Sequence, residues 1–291
     1  MRRPAPATLA DIKHPGSRAA NRHPFVLCQA DAVSFEVTGG RPLLEALGHW
    51  AEAEGYASAV LNLAGVSLAA FDYVMPDRAI DDRHAAWYSE THSSAGATLT
   101  AAVAILGWRD GAWFAHIHAY WREGGKEHLG HLLPATLAAS APATITGHGV
   151  KGAAFEAAPD PETEFTLFRV RADEASADAI RENALITTLA PFADLHHSVS
   201  DLADQLSAPS YQVMGLGSLA GAAFAGDRAM TGLISEILLL SGAGDDGSRG
   251  LAIPVRCIDL NGSLHQGSVL PGQAPTLVTC ELLIRRADRA R

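Results

Sequence analysis

The chain contains an internal repeat, and this constrains its fold more than any other feature. Val60-Leu61-Asn62-Leu63-Ala64-Gly65 and Ala69-Ala70-Phe71 return 153 positions later as Val213-Met214-Gly215-Leu216-Gly217-Ser218 and Ala222-Ala223-Phe224. Gly130-His131-Leu132-Leu133-Pro134 returns after only 137 positions as Gly267-Ser268-Val269-Leu270-Pro271. Between the two blocks the second copy is shorter, and most of the loss falls in a long acidic, His-containing loop spanning about residues 76–96. A block that recurs in order at this period is one folding unit used twice. Each unit has one main amphipathic helix, at about Pro42–Glu54 and about Ser198–Leu206, among apolar runs that alternate as strands do. The expectation is an α+β chain of two tandem domains, each a mainly antiparallel sheet with one packed main helix. Its parts are an extended or flexible arm at residues 1–21, a first domain at 22–170 and a degenerate second domain at 183–286.

Composition narrows the class. With 291 residues and 48% hydrophobic side chains the chain can bury a sizeable core. Its charged fraction of 19% and formal net charge of −10 disfavour disorder and whole-surface binding to a phosphate backbone. Cys28, Cys257 and Cys280 form no C-x-x-C pair, as expected in a reducing compartment. No secretory leader and no long apolar run is present, which predicts a cytoplasmic protein without a membrane span.

The chemistry concentrates in one hairpin. A turn at Glu123-Gly124-Gly125-Lys126 pairs Arg122 with Glu127, and that register makes His118 and His131 direct cross-strand partners. His116 lies two residues before His118, on the same face and diagonal to His131, whereas His128 falls on the opposite face by parity. Three imidazoles at such separations can close around one ion with Zn–N bonds near 2.0–2.1 Å. A lone strand histidine is more often a satisfied structural residue, but the second copy is a control. There a turn at Asn261–Leu264, pairing Leu260 with His265, places Val255, Cys257 and Ser268 at the equivalent positions. The three histidines are lost together, as a unit of function would be.

Gly40-Arg41-Pro42-Leu43-Leu44-Glu45-Ala46-Leu47, Ala64-Gly65-Val66-Ser67-Leu68, His116-Ile117-His118, Gly130-His131-Leu132-Leu133 and Asp160-Pro161-Glu162-Thr163 resemble the plants and prokaryotes conserved (PPC, also PCC) domain. The resemblance covers residues 22–170 and, more weakly, 183–286. It implies a mainly antiparallel sheet with one packed helix, assembly as trimers, and a metal held in some prokaryotic members through the residues that here are His116, His118 and His131. Plant members carry an AT-hook and work in chromatin-associated regulators. Here Gly39-Gly40-Arg41-Pro42 lacks the first Arg of that hook and Arg2-Arg3-Pro4 lacks its Gly.

Three neutral imidazoles leave a tetrahedral ion with an open position, the arrangement of catalytic sites. The leading expectation is therefore a metal-dependent enzyme or sensor, with zinc or another divalent transition metal, acting on a small oxygenated, anionic molecule; a hydrolase or lyase would fit. Candidates for general acid–base help are His84, His92, Asp82 and Glu127, and for binding a carboxylate Arg83 and Arg122. The alternative is a DNA-associated or partner-recruiting regulator built on a homo-oligomer, with a trimer favoured in either case. Gly215-Leu216-Gly217-Ser218-Leu219-Ala220 matches a dinucleotide fingerprint, but the repeat puts it on a strand, where a phosphate-binding helix start is absent.

Overall fold

The computed structural model describes residues 4–174, 180–226, 229–230 and 232–287. The first half contains β1 (Phe25–Val37), α1 (Leu43–Ala53), β2 (Ser58–Asn62), β3 (Ser67–Leu68), β4 (Phe71–Val74), β5 (Pro76–Asp77), β6 (Trp87–Tyr88) and β7 (His92–Ser94). It continues with β8 (Ala97–Arg109), β9 (Ala112–Glu123), β10 (Lys126–Leu132), β11 (Ala143–Lys151), β12 (Ala153–Pro159) and β13 (Thr166–Ala172). The second half contains β14 (Ala184–Leu189), α2 (Leu195–Gln205), β15 (Tyr211–Leu219), β16 (Ser235–Leu239), β17 (Gly244–Asp245), β18 (Pro254–Asp259), β19 (Leu264–Ser268) and β20 (Thr276–Arg286). Pairing is antiparallel throughout except for one short parallel contact between β8 and β12. The fold is thus mainly antiparallel sheet with two α-helices among the described residues. None of its helices is long and apolar enough to cross a membrane.

The order β1-β11-β2-β8-β9-β10 in one half recurs as β14-β20-β15-β16-β18-β19 in the other. In each half the helix follows the first strand of that order. Helix α1 lays Leu43, Leu47 and Ala51 on Leu61, Ala104 and Ile117, and α2 lays Leu195, Val199 and Leu202 on Val213, Ile237 and Leu282. Because strand side chains alternate, each sheet has a second apolar face. Those two faces meet, Val103, Ile105, Leu129 and Phe155 packing in one cluster with Ile186, Leu216, Leu238 and Leu283. The layers run helix, sheet, sheet, helix.

Strand β1 runs unbroken and pairs first with β14 and then with β11. The Asn183 side chain holds both the N–H and the carbonyl of Ala30 at the crossing, which carries the strand through. Helix α2 starts at Leu195 rather than near Ser198, because the Asp194 carboxylate accepts from the N–H of His197 at 2.9 Å. In the second hairpin Cys257 pairs with His265 and Pro254 with Ser268, a tighter register than the one expected. Here the Asp259 carboxylate accepts from the N–H groups of Asn261 and Ser263, and Gly262 at φ 75° closes a shorter loop. Val255 and Cys257 face α2 rather than the seam between the sheets, so they do not stand where His116 and His118 do in the first hairpin.

Candidate metal centre

The first hairpin keeps the register that its glycines impose. Gly124 and Gly125 both take positive φ, 57° and 78°, as a two-residue turn matched to strand twist requires. Glu123 then pairs with Lys126, and His131 lies directly opposite His118. Ala115, Ile117, Ala119 and Trp121 face the α1 side of the sheet, which leaves His116 and His118 on the seam side. One ring nitrogen from each of His116, His118 and His131 lies within 4.8 Å of the others. His128 is elsewhere, stacked on Trp121 at 5.3 Å between ring centres.

Each imidazole is oriented by a partner on its outer nitrogen. His118 Nδ1 donates to the Ile237 carbonyl at 2.7 Å. A carbonyl only accepts, so the proton of this ring is on Nδ1. Burial, and after it the charge of His116, holds the His118 pKa well below the usual imidazole value, so the ring is neutral and Nε2 is a bare lone pair. His116 Nδ1 lies 2.7 Å from the Glu281 carboxylate. His131 Nδ1 lies 2.9 Å from the Tyr88 hydroxyl, and burial pushes its pKa well down too. Tyr88 donates its own proton to Glu236, a bond that favours the ionised carboxylate, and so its oxygen accepts from His131. All three outer nitrogens are thereby committed, and Nε2 is the free atom of each ring.

The two Nε2 atoms of His116 and His118 stand 3.0 Å apart. At that distance the two nitrogens share either a proton, as a hydrogen bond, or a metal ion. A proton can serve only two of the three nitrogens, whereas a metal ion serves all three. The donor set, three imidazoles each oriented by a partner at Nδ1, suits zinc, copper, iron or nickel.

Most of these partners come from the other half of the chain. Ile237 and Glu236 are on β16 and Glu281 is on β20, while Tyr88 comes from the 76–96 loop. The Glu236 Oε1 lies 3.7 Å from His118 Nε2 and 3.9 Å from His131 Nδ1, and burial pushes its pKa up to about 8. Its second oxygen, Oε2, is buried and has no hydrogen-bond partner. Beside the cluster is a cavity of about 320 Å³ whose wall includes His116, His118, Tyr88, Trp87, Phe165 and Glu236.

None of the other residues singled out from the sequence lines this cavity. His84 is 2.7 Å from Asp81, and its ring packs against Phe165 and Trp87. Asp82 is exposed, and His92 stacks on Tyr73. Arg83 pairs with Glu164. Arg122 pairs with Glu127 at 2.6 Å on the exposed side of the hairpin, where Glu127 also accepts from Tyr120. Glu236 and Glu281 were not singled out as site residues, although a signal existed: each is an acidic residue inside an apolar strand run, Ser-Glu-Ile-Leu-Leu and Cys-Glu-Leu-Leu-Ile. A carboxylate in such a place is buried at a cost unless it has work to do.

No protein-family model matches the chain, and no curated protein matches it. Among solved structures it is similar to a metal-containing protein from Archaeoglobus fulgidus, at 18% identity over 50% of this chain and 96% of the other, with a TM-score of 0.39. It is similar to a plant- and prokaryote-conserved (PPC) protein from Pyrococcus horikoshii, at 19% identity over 49% and 94% of the two chains, TM-score 0.37. A candidate DNA-binding protein from Ralstonia eutropha aligns at 16% identity over 46% and 88%, TM-score 0.37.

Proposed function

We propose that the chain is a metal-dependent enzyme or sensor of a small oxygenated molecule, with a divalent transition metal such as zinc held by His116, His118 and His131. The observation that carries this reading is the 3.0 Å approach of two Nε2 atoms whose rings are tied at Nδ1. When bound, such an ion supplies Lewis-acid polarisation of a carbonyl or carboxylate oxygen. The chain's own residues do the rest. The Ile237 carbonyl, Glu281 and Tyr88 hold the Nδ1 protons and so keep the Nε2 lone pairs aimed inward. Trp87, Phe165 and Leu277 give the cavity an apolar wall, and Glu236 presents a carboxylate oxygen without a protein partner.

The recurring strand order supports reading the chain as two copies of one PPC-like fold, residues 22–170 and 183–286, preceded by an arm at 1–21. Ile12 in that arm is buried against Ala85, Ile234 and Leu277, and Arg22 reaches Glu162 at 2.6 Å. In this reading the second copy has lost the ligands and become the wall that orients those of the first. Assembly as a homo-oligomer, a trimer, goes with the same reading.

The test is metal stoichiometry by elemental analysis. Wild type should carry one transition-metal ion per chain and His128→Ala should keep it. His116→Ala, His118→Ala and His131→Ala should each lose most of it, because two imidazoles hold such an ion weakly against water. A metal-free wild type, or a His128→Ala variant as empty as His118→Ala, overturns the site. A gel shift at moderate salt addresses the DNA-associated alternative, and the net charge of −10 predicts no retardation.

A further inference from the structure

The cavity beside the histidines constrains what enters it, and three features do so independently. Its body is apolar and aromatic: Trp87, Phe165, Ile234 and Leu277 line it, with Trp87 and Tyr88 at an exposed mouth. No Arg or Lys is among the described residues that line it, while the Glu236 carboxylate is. A ligand carrying a negative charge away from the histidines would meet no cation and one acid. The third feature is Glu236 Oε2, which is buried and has no hydrogen-bond partner, on a residue only 5% exposed. A buried carboxylate oxygen left unpaired costs stability, and Tyr88 already serves this carboxylate. The free oxygen is therefore available to a donor that the ligand brings.

Resting on the metal reading above, we propose that the cavity binds a neutral carbonyl compound with an aromatic or branched aliphatic body and an N–H or O–H donor next to the carbonyl. The carbonyl oxygen faces the three histidines, the donor meets Glu236 Oε2, and the body lies between Trp87 and Phe165. At about 320 Å³ the space takes a body the size of a benzene ring with a short head group and excludes a polymer. The sequence alone pointed to an anionic ligand; the absence of a cation in this wall and the presence of Glu236 point to a neutral one.

Cobalt-loaded protein tests this, because the visible spectrum of the ion reports ligands that reach it. Cobalt content is measured first, and a wild type that takes up none overturns the metal reading itself. With cobalt bound, benzohydroxamic acid, acetohydroxamic acid and benzoate are titrated while the spectrum is followed. Benzohydroxamic acid should bind about tenfold more tightly than acetohydroxamic acid, which has the same head without the ring, and more tightly than benzoate, which has no donor. Phe165→Ala and Trp87→Ala should shrink the preference for the ring. Glu236→Gln should weaken both hydroxamic acids about tenfold, leave benzoate unchanged and keep its cobalt. Equal binding of the two hydroxamic acids, tighter binding of benzoate, or hydroxamic acid affinities unchanged in Glu236→Gln overturns the proposal and leaves the metal reading intact. Loss of cobalt from Glu236→Gln as complete as from His118→Ala makes Glu236 a ligand of the ion and overturns its role as the acceptor for the substrate.

Discussion

Replacing Glu236 with Gln in metal-free protein should stabilise the fold, and by an amount that grows with pH. Burial raises the folded-state pKa of this carboxyl from 4.5 to about 8. An acid whose pKa is raised by folding favours the folded state while protonated, and ionisation favours the unfolded chain. Stability is therefore fully present below pH 4.5 and is lost as pH rises through about 8. Each tenfold step between the two pKa values is worth about 1.4 kcal/mol. The loss is on the order of 1 kcal/mol at pH 5, about 3 at pH 7 and about 4 at pH 8. Gln has the shape of the protonated acid and does not ionise, so the variant should exceed wild type by only about 1 kcal/mol at pH 5 and by about 4 kcal/mol at pH 8. Tyr88, His118 and His131 face the carboxyl in both proteins, and their own titration largely cancels in the comparison. Thermal melts of chelator-treated samples from pH 5 to pH 8.5 should show a gap in Tm opening to on the order of 8 °C. Metal-loaded samples should show a smaller gap, because a nearby dication favours the ionised carboxylate. A gap that stays constant across this range, or a Gln variant less stable at pH 8, refutes the argument that Glu236 is buried as an acid awaiting a partner.

Other outcomes follow from individual contacts. Glu281→Gln keeps the shape of the group beside His116 but weakens its hold on the Nδ1 proton, and should lower metal affinity by roughly 10–100-fold in competition with a chelator. Gly107→Ala would put a Cβ 2.3 Å from the Phe155 carbonyl and 2.9 Å from the Phe168 ring, and should cost about 1–3 kcal/mol in urea denaturation. Sedimentation at micromolar concentration should give the mass of a trimer, and a 30.5 kDa species would reject that assembly.

The sequence by itself determined what depends on neighbours along the chain. Two glycines between two alternating runs set the register of β9 and β10, because only such residues take the positive φ of a two-residue turn, and period-two alternation then placed His116, His118 and His131 on one face. Where the local chemistry was subtler the reading failed. The Asp259 side chain tightens the second hairpin by hydrogen bonds that no alternation pattern records. The long 76–96 loop looked functional, but nothing in it distinguished Tyr88, which does reach His131, from Asp82, which stays exposed.

What only the tertiary structure decided is the second half of the site. Glu236 is more than a hundred residues from His131 along the chain, Glu281 is farther still, and Ile237 acts through a backbone carbonyl that every residue possesses. No local period links them to the histidines. They meet because each sheet has a helix on one apolar face and must bury the other, and the only partner of matching size and character within the chain is the other sheet. That packing carries two acids and a carbonyl from β16 and β20 onto three imidazoles.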